Sequence, residues 1–282
     1  MKIMKVSVEK LPNKTYKLTI TVEAEAVDKE FTHSLFHFSE HAKIEGFREG
    51  KAPISMVKEK IDKGELNGNV INHLIPHYFQ QAIKEHHLNP ITEPKIELKQ
   101  FSEGKDLIFL ATIIERPDIE IGNYTKALQS TKTKDKSEKP TVEQLVNKVL
   151  EVSKIEIAPI LIENEVSRML SNLIDQTSKL GITVDNYLQS QRKTIEELRV
   201  EYSKAAELNI KAEFLLNEIA DKQKITVDDI EVQKTIDAAP DEESKKLLSK
   251  DDQKWYIRSI LRKNKVIQHL INLAFEKETK NE

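Results

Sequence analysis

Alternating apolar and polar residues predict that the chain begins with a β-hairpin. Over residues 16–23 every second side chain is apolar, which is the period of a half-buried strand. An earlier strand is predicted over residues 3–9, and Pro12-Asn13-Lys14 supplies a turn between the two. Residues 28–42 then change to helical spacing, which predicts an amphipathic helix against the sheet. Its apolar stripe consists of Phe31, Leu35, Phe38 and Ala42.

Further elements complete an α+β unit. A short helix is predicted from Pro53 to about Lys60, and a longer helical pattern covers residues 66–87. Two more strands are predicted over residues 95–99 and 106–115. The second of these is apolar almost throughout, which is typical of a central strand covered on both faces. We therefore expect a four-stranded antiparallel sheet with helices over residues 1–116.

The rest of the chain is predicted to be a linker followed by helices. Residues 117–140 form the predicted linker, because residues 129–140 include no apolar side chain. Beyond the linker, Thr141-Val142-Glu143-Gln144 is typical of a helix capping box, and apolar residues follow helical spacing. Gly181, the only glycine in this part, is predicted to end a helix from the C′ position. Residues 141–282 are therefore predicted to be an all-α domain of five or six helices, one of them capped by Thr226.

Composition and charge narrow the classes of function. Of the 282 residues, 38% are hydrophobic and 32% are charged, a ratio that favours an elongated molecule over one thick core. Lys and Arg number 44 against 47 Asp and Glu, so any contact with nucleic acid must be local. The chain contains no cysteine, which excludes disulfides and thiolate metal sites. No signal peptide or membrane span is evident, so we expect a cytoplasmic protein without a membrane partner.

One short segment concentrates unusual chemistry. Residues 44–53, called the glycine loop below, hold two glycines, an aromatic side chain and two cations. Gly46 and Gly50 allow positive φ at both ends, so the residues between them can protrude. Phe47 and Arg48 lie on this predicted tip, where no local apolar face covers the ring. From spacing alone, an ordinary helix–loop–helix turn with one stray phenylalanine explains the segment equally well.

The glycine loop resembles the ribosome-docking signature of the trigger factor family. The segment Gly46-Phe47-Arg48-Glu49-Gly50-Lys51-Ala52-Pro53 is compatible with the family pattern Gly-Phe-Arg-basic-Gly-Lys-x-Pro at seven of eight positions. Glu49 is the departure, and whether it weakens or preserves docking stays open. The resemblance implies that the α+β unit binds the large ribosomal subunit near the exit tunnel, at protein and possibly rRNA surfaces. The implied contact residues are Gly46, Phe47, Arg48, Glu49, Gly50 and Lys51, with Phe47 as an apolar anchor and Arg48 as the partner of a carboxylate or phosphate.

The same resemblance implies a function for the helical domain. It would be the cradle of an ATP-independent chaperone, a holdase for nascent and unfolded polypeptides. The candidate client-binding residues are Met169, Leu173, Ile174, Phe214 and Leu215. Ordinary helix packing is the favoured explanation for the spacing of these five residues. The alternative function is a SurA-like helical chaperone or interaction scaffold with no ribosome contact.

The family usually inserts an FKBP-like prolyl isomerase domain before its helical body. In this chain the corresponding junction is residues 154–159, which leaves no room for a β-rich domain of ~100 residues. The resemblance therefore implies a chaperone without isomerase activity, and we expect that the protein is not an enzyme. A homodimer is compatible with this function.

Histidines four residues apart are candidate metal ligands. His33, His37 and His41 have this spacing, and His73 and His77 repeat it. Two histidines at i and i+4 can bind zinc, but the glutamate of an HExxH motif is missing and no thiolate completes a site. A solvated polar helix face is the simpler interpretation. The sequence therefore predicts no metal, no cofactor and no catalytic residue.

Overall fold

The chain forms two compact units that divide between Arg116 and Pro117. The structure is a computed structural model that describes residues 3–129 and 140–275. The first unit has one hydrophobic core between a sheet and two helices. The second unit contains smaller separate clusters of buried apolar residues. The elements of each unit follow from local sequence signals, with a few exceptions that tertiary contacts decide.

The first unit contains the predicted four-stranded antiparallel sheet. Its strands are β1 (Met4–Leu11), β2 (Thr15–Val22), β3 (Lys95–Gln100) and β4 (Leu107–Ile114). They lie in the order β1-β2-β4-β3, and every neighbouring pair is antiparallel. The predicted turn joins β1 to β2, with Asn13 and Lys14 at positive φ. The helices are α1 (Ala24–His41), α2 (Ile54–Lys60) and α3 (Lys63–Glu85).

Strand β4 is central, as predicted, but only one of its faces is fully buried. Leu107, Phe109, Ala111 and Ile113 are completely buried, whereas the residues between them are half-buried. Apolar residues of both α1 and α3 share one core with the buried face. The prediction that β4 is covered on both faces was therefore wrong. Its apolar alternate residues lie on the partly solvated face of an antiparallel sheet.

Helix α1 begins earlier than the predicted start at residue 28, because a distant residue caps it. The backbone N–H of Ala24 donates to Asp106 Oδ1 at 2.9 Å, across 82 positions of sequence. The residue at the N-cap position, Glu23, makes no side-chain capping bond. A carboxylate that accepts from a free N–H of the first turn replaces the usual local cap. The start of α1 is therefore set by a tertiary contact that the local sequence does not show.

The second unit is helical, apart from one small strand pair. Strands β5 (Ile119–Glu120) and β6 (Lys154–Ile155) are antiparallel. The helices among the described residues are α4 (Tyr124–Gln129), α5 (Val142–Glu151), α6 (Pro159–Lys179), α7 (Val184–Gln191), α8 (Ile195–Lys222), α9 (Asp229–Asp237), α10 (Glu242–Leu248) and α11 (Asp251–Phe275). Seven of them follow the predicted linker, rather than five or six.

Two predicted helix ends in this unit can be compared with the structure, and one of them is confirmed. Gly181 lies just after α6 at φ +69°, and its N–H donates to Ser178 O at 3.0 Å, as expected of a C′ glycine. Thr226 was predicted to cap a helix, which was wrong. The cap of α9 is Asp228, which forms a reciprocal capping box with Glu231. Two competing cap residues two positions apart cannot be ranked by type alone.

The predicted linker, 117–140, differs from the structure over the part that is described. Residues 117–129 contribute β5 and α4 to the second unit, and Leu128 of α4 is completely buried. Residues 130–139 lie outside the described residues. Across the whole described part, no helix combines the length and the apolar character that crossing a lipid bilayer requires.

Candidate functional site

Two successive turns build the glycine loop between α1 and α2. The Phe47 N–H donates to Ile44 O at 3.0 Å, and the Lys51 N–H donates to Arg48 O at 2.9 Å. Gly46 and Gly50 are each the third residue of a turn, with φ of +85° and +75°. Positive φ at this position is characteristic of type II turns and favours glycine. The predicted positive φ of both glycines is confirmed.

The two glycines are required for different reasons. A Cβ atom on Gly50 would lie 2.7 Å from the backbone oxygen of Glu40, in the last turn of α1. The Gly50 N–H also points back to Ala42 O at 3.4 Å. A Cβ atom on Gly46 would meet nothing within 4 Å. Gly50 therefore anchors the base of the loop against α1, whereas Gly46 only permits the turn.

This difference predicts unequal effects of alanine at the two glycines. Both variants strain a left-handed backbone, but only Gly50→Ala also forces the loop away from α1. We expect Gly50→Ala to lower the free energy of unfolding by about 1 kcal/mol more than Gly46→Ala does, a modest overpacking cost. Urea unfolding of the intact chain, followed by circular dichroism, measures both. Equal losses would show that the loop base relaxes without cost.

The side chains at the tip are exposed, as a docking surface requires. Phe47 is 41% exposed, and Arg48, Glu49 and Lys51 are exposed as well. Ile44 is buried and fixes the start of the loop. Within the described part of the chain, neither Arg48 nor Lys51 forms a side-chain hydrogen bond or an ion pair. Both cations are therefore available to an acidic or phosphate-bearing partner.

The acidic departure at Glu49 has its own cationic neighbour. Its Oε2 lies 3.5 Å from Lys43 Nζ, and both side chains are exposed. An exposed ion pair of this kind contributes at most about 1 kcal/mol. The carboxylate is thus paired with Lys43, and the charge of Arg48 is left for other contacts.

A cavity lies beside the loop, between the end of α1 and α2. Its volume is about 400 Å³. Its wall includes the apolar side chains of Phe38, Ile44, Val57 and Ile61, and Lys43 and Lys60 also line it. An apolar wall with cationic neighbours can accept an apolar side chain from a surface that also carries negative charge.

The structure divides the five candidate client-binding residues of the helical unit. Leu215 is completely buried, and Leu173 is buried among residues of α7 and α8. Met169 and Phe214 are half-buried. Ile174 is 54% exposed. Exposure therefore leaves the Ile174 side chain accessible, while Leu173 and Leu215 contribute to packing.

Sequence reasoning missed the most exposed apolar residues of this unit. Trp255, the only tryptophan of the chain, is 70% exposed on α11. It precedes the buried Ile257 by two residues, which places it about 200° around the helix from the core-facing position. Helical phase was thus the signal that could have found it. Other strongly exposed apolar residues of the unit include Leu180, Ile230, Tyr256, Val200 and Leu247.

Shifted pKa values in the helical unit belong to structural contacts. A hydrogen bond from Lys265 lowers the pKa of Glu231, a capping residue of α9. Hydrogen bonds from Ser244 lower the pKa of Asp241, which caps α10. Both carboxylates hold helix ends, which accounts for their lowered pKa values.

Comparisons with known proteins agree for both units. A family model described as "Bacterial trigger factor protein (TF)" matches residues 4–151, and one described as "Bacterial trigger factor protein (TF) C-terminus" matches residues 122–272. The trigger factor of Desulforamulus reducens is 36% identical over 129 residues, which cover 46% of this chain and 29% of that protein. The trigger factor of Clostridium kluyveri is 30% identical over 153 residues, or 54% of this chain and 36% of that protein. The chain thus spans about a third of the length of these curated relatives.

A solved structure shares the fold. It is described as "Promiscuous Substrate Recognition in Folding and Assembly Activities of the Trigger Factor Chaperone". The superposition covers 96% of this chain and 100% of the solved chain, with a TM-score of 0.67. Sequence identity is 13%, so this likeness concerns the fold alone.

Proposed function

This chain belongs to the trigger factor family, and from that premise we propose that it is an ATP-independent chaperone of the cytoplasm. It docks on the large ribosomal subunit near the exit tunnel and shields nascent or unfolded polypeptides. One observation carries the proposal: two positive-φ glycines present an exposed Phe47 beside two cations, Arg48 and Lys51, that have no ion-pair partner within the described residues.

The tip offers a compact combination of apolar and charged contacts. Phe47 supplies an aromatic anchor that gains by leaving water. Arg48 and Lys51 supply donors for carboxylates or phosphates, both of which ribosomal surfaces contain. The apolar cavity behind the loop adds room for a side chain of the partner. Docking at this tip needs no extended basic surface, which agrees with the near balance of charges.

The pairing of Glu49 with Lys43 supports docking despite the departure from the family pattern. The carboxylate is partly neutralised within the loop region, 3.5 Å from an ammonium group. Because this pair is exposed, its geometry can also change at little cost when a partner approaches. Glu49 therefore leaves Arg48 free to donate hydrogen bonds to a carboxylate or phosphate of the partner.

The proposed client surface lies on the helical unit. Its exposed apolar residues include Ile174 and Trp255, which face solvent at 54% and 70% exposure. Unfolded chains expose apolar side chains of many shapes, so weak apolar contacts hold them without sequence specificity. Release then follows as the client buries its own apolar surface, without a nucleotide.

Sedimentation with ribosomes tests the proposal. The intact chain is expected to pellet with purified large subunits and to stay in the supernatant with small subunits. A separate assay of aggregation of an unfolded protein measures the holdase activity. Suppressed aggregation without any pelleting would instead favour the alternative, a SurA-like chaperone or scaffold. No effect in either assay would overturn both functions.

We expect no prolyl isomerase activity from this chain. Three residues separate β6 from α6, at the junction where the family usually carries the isomerase domain. The chain just before this junction is also closely packed, because a Cβ atom on Gly122 would lie 2.0 Å from the carbonyl oxygen of Val152. A prolyl-peptide assay should show only the uncatalysed relaxation, over roughly tens to hundreds of seconds at 25 °C. A known isomerase in the same assay is the positive control, and catalysis by micromolar chain would contradict the prediction.

A further inference from the structure

Three ligand-type side chains from two helices converge on the first unit. Glu30 and His33 belong to α1, and His73 belongs to α3. His73 Nδ1 donates to Glu30 Oε1 at 2.8 Å, and His33 Nδ1 lies 3.5 Å from the same oxygen. The ligand atoms of all three residues lie within 4.8 Å of one another. This cluster, called the His–Glu cluster below, joins residues that are 43 positions apart in sequence.

The distances from Glu30 to the two histidines are close to those between the ligand atoms of a metal ion. A tetrahedral ion with bonds of about 2.05 Å holds its ligand atoms about 3.4 Å apart. The His33–Glu30 distance of 3.5 Å already has this value. The His73–Glu30 distance of 2.8 Å is that of a hydrogen bond and has to open by about 0.6 Å when an ion replaces the shared proton. Small side-chain rotations suffice for this change because both histidines are more than half exposed.

The surroundings of the cluster favour a cation. The cluster opens into a cavity of about 480 Å³. Glu23 and Glu25 also line this cavity, and Lys29 is the only ammonium group among its lining residues. Lys29 is held by Glu25 at 2.7 Å. Lys5 Nζ lies 3.9 Å from Glu23. With neutral histidines, three carboxylates therefore face two lysines, and the remaining negative charge favours a cation at Glu30.

We propose that Glu30, His33 and His73 bind one divalent transition-metal ion, with zinc as the favoured ion. Two imidazoles and one carboxylate form a ligand set typical of zinc, whereas magnesium and calcium prefer oxygen ligands alone. The open side of the cavity leaves at least one position for water. His77 lines the same cavity one turn after His73 and offers a further imidazole. The bound ion links α1 to α3 over the sheet and stabilises the folded unit.

The chain offers a matched control on the same helix. His37 and His41 are also four residues apart and exposed, with ring centroids separated by 6.1 Å. They form an ordinary surface pair. Within the described residues, no third side chain of a metal-binding type lies close enough to complete a site with them. Zinc held by any two surface histidines would be weakened as much by substitution of this pair as by substitution of the His–Glu cluster.

Calorimetric titration of the intact chain, without a polyhistidine tag, tests the proposal. Zinc is expected to bind with one equivalent per chain and to raise the thermal midpoint, whereas magnesium leaves the midpoint unchanged. His73→Ala and Glu30→Gln should each weaken zinc binding at least about tenfold, since even an outer-shell partner contributes that much. His37→Ala with His41→Ala should leave it unchanged. Circular dichroism in chelator confirms that each variant folds.

Cobalt supplies an independent readout of the same site. The intact chain is expected to develop visible absorption when titrated with cobalt, and His33→Ala should abolish it. The proposal is overturned by any of three results: no zinc binding at millimolar concentration, unchanged affinity in the cluster variants, or equal losses in the control variant. Failure of ribosome docking would leave this proposal intact, because the metal site does not rest on the proposed function.

Discussion

Replacing Phe47 and Arg48 together by alanine is expected to lower the affinity for ribosomes by at least ~2 kcal/mol, or about 30-fold. The physical reason is the structure of the glycine loop. Its two turns hold an exposed ring beside a cation that has no ion-pair partner within the described residues, and the variant removes both the apolar anchor and the charge-assisted hydrogen bonds. Co-sedimentation over a range of ribosome concentrations measures the change.

Phe36 provides the matched control for this experiment. It is a phenylalanine of the same unit, and at 55% exposure it is more exposed than Phe47. It lies within α1, not in the loop. Phe36→Ala should bind ribosomes with the affinity of the unmodified chain. Wild-type affinity in the double variant would refute docking through the tip, and an equal loss in Phe36→Ala would show that binding depends on any exposed ring.

Leu215→Ala is expected to lower the free energy of unfolding of the helical unit by about 2–5 kcal/mol, the usual cost of a core cavity. Leu215 is completely buried in α8 despite being a candidate client-binding residue. Urea unfolding of the intact chain, followed by far-ultraviolet circular dichroism, measures the loss, because this unit is mainly helical.

Ile174 is the contrasting case on the neighbouring helix α6. Its side chain is 54% exposed, so Ile174→Ala should change stability by no more than about 0.5 kcal/mol. The same variant should hold an unfolded client less tightly, as measured by suppression of aggregation. If Ile174→Ala destabilises the unit as much as Leu215→Ala does, then the exposed face is not a free surface. A small effect of Leu215→Ala would show that its site collapses without a cavity.

Local sequence rules predicted the glycine loop well, because its constraints are local. A glycine at the third position of a turn permits the positive φ that a type II turn requires, and a turn between two helices exposes its tip. The sequence explains only one of the two reasons for a glycine at position 50, however. Its positive φ followed from the pattern, whereas its approach to Glu40 depends on where α1 ends relative to the loop. The pairing of Glu49 with Lys43 likewise depends on the fold of the loop.

The histidines show the limit of reasoning along one helix. The spacing of four residues predicts that His33, His37 and His41 lie on one face of α1. It also predicts that His73 and His77 lie on one face of α3. It could not show that His73 lies against Glu30, since that contact depends on how α1 and α3 pack. Glu30 itself had no distinguishing signal among the many acidic residues on helical faces.

By itself, the sequence determined most elements of this protein and the chemistry of its loop. The alternation of period two, the helical stripes, the capping box at Thr141 and the C′ glycine at Gly181 act over one to two turns, so nearby residues suffice to predict them. Only the tertiary structure decided which apolar residues are core and which face solvent. Leu215 and Ile174 both lie in helices with apolar residues at helical spacing, but other residues cover Leu215 and leave Ile174 exposed. The tertiary structure also decided where α1 begins and which histidine meets Glu30, since both depend on contacts between distant residues that no local pattern encodes.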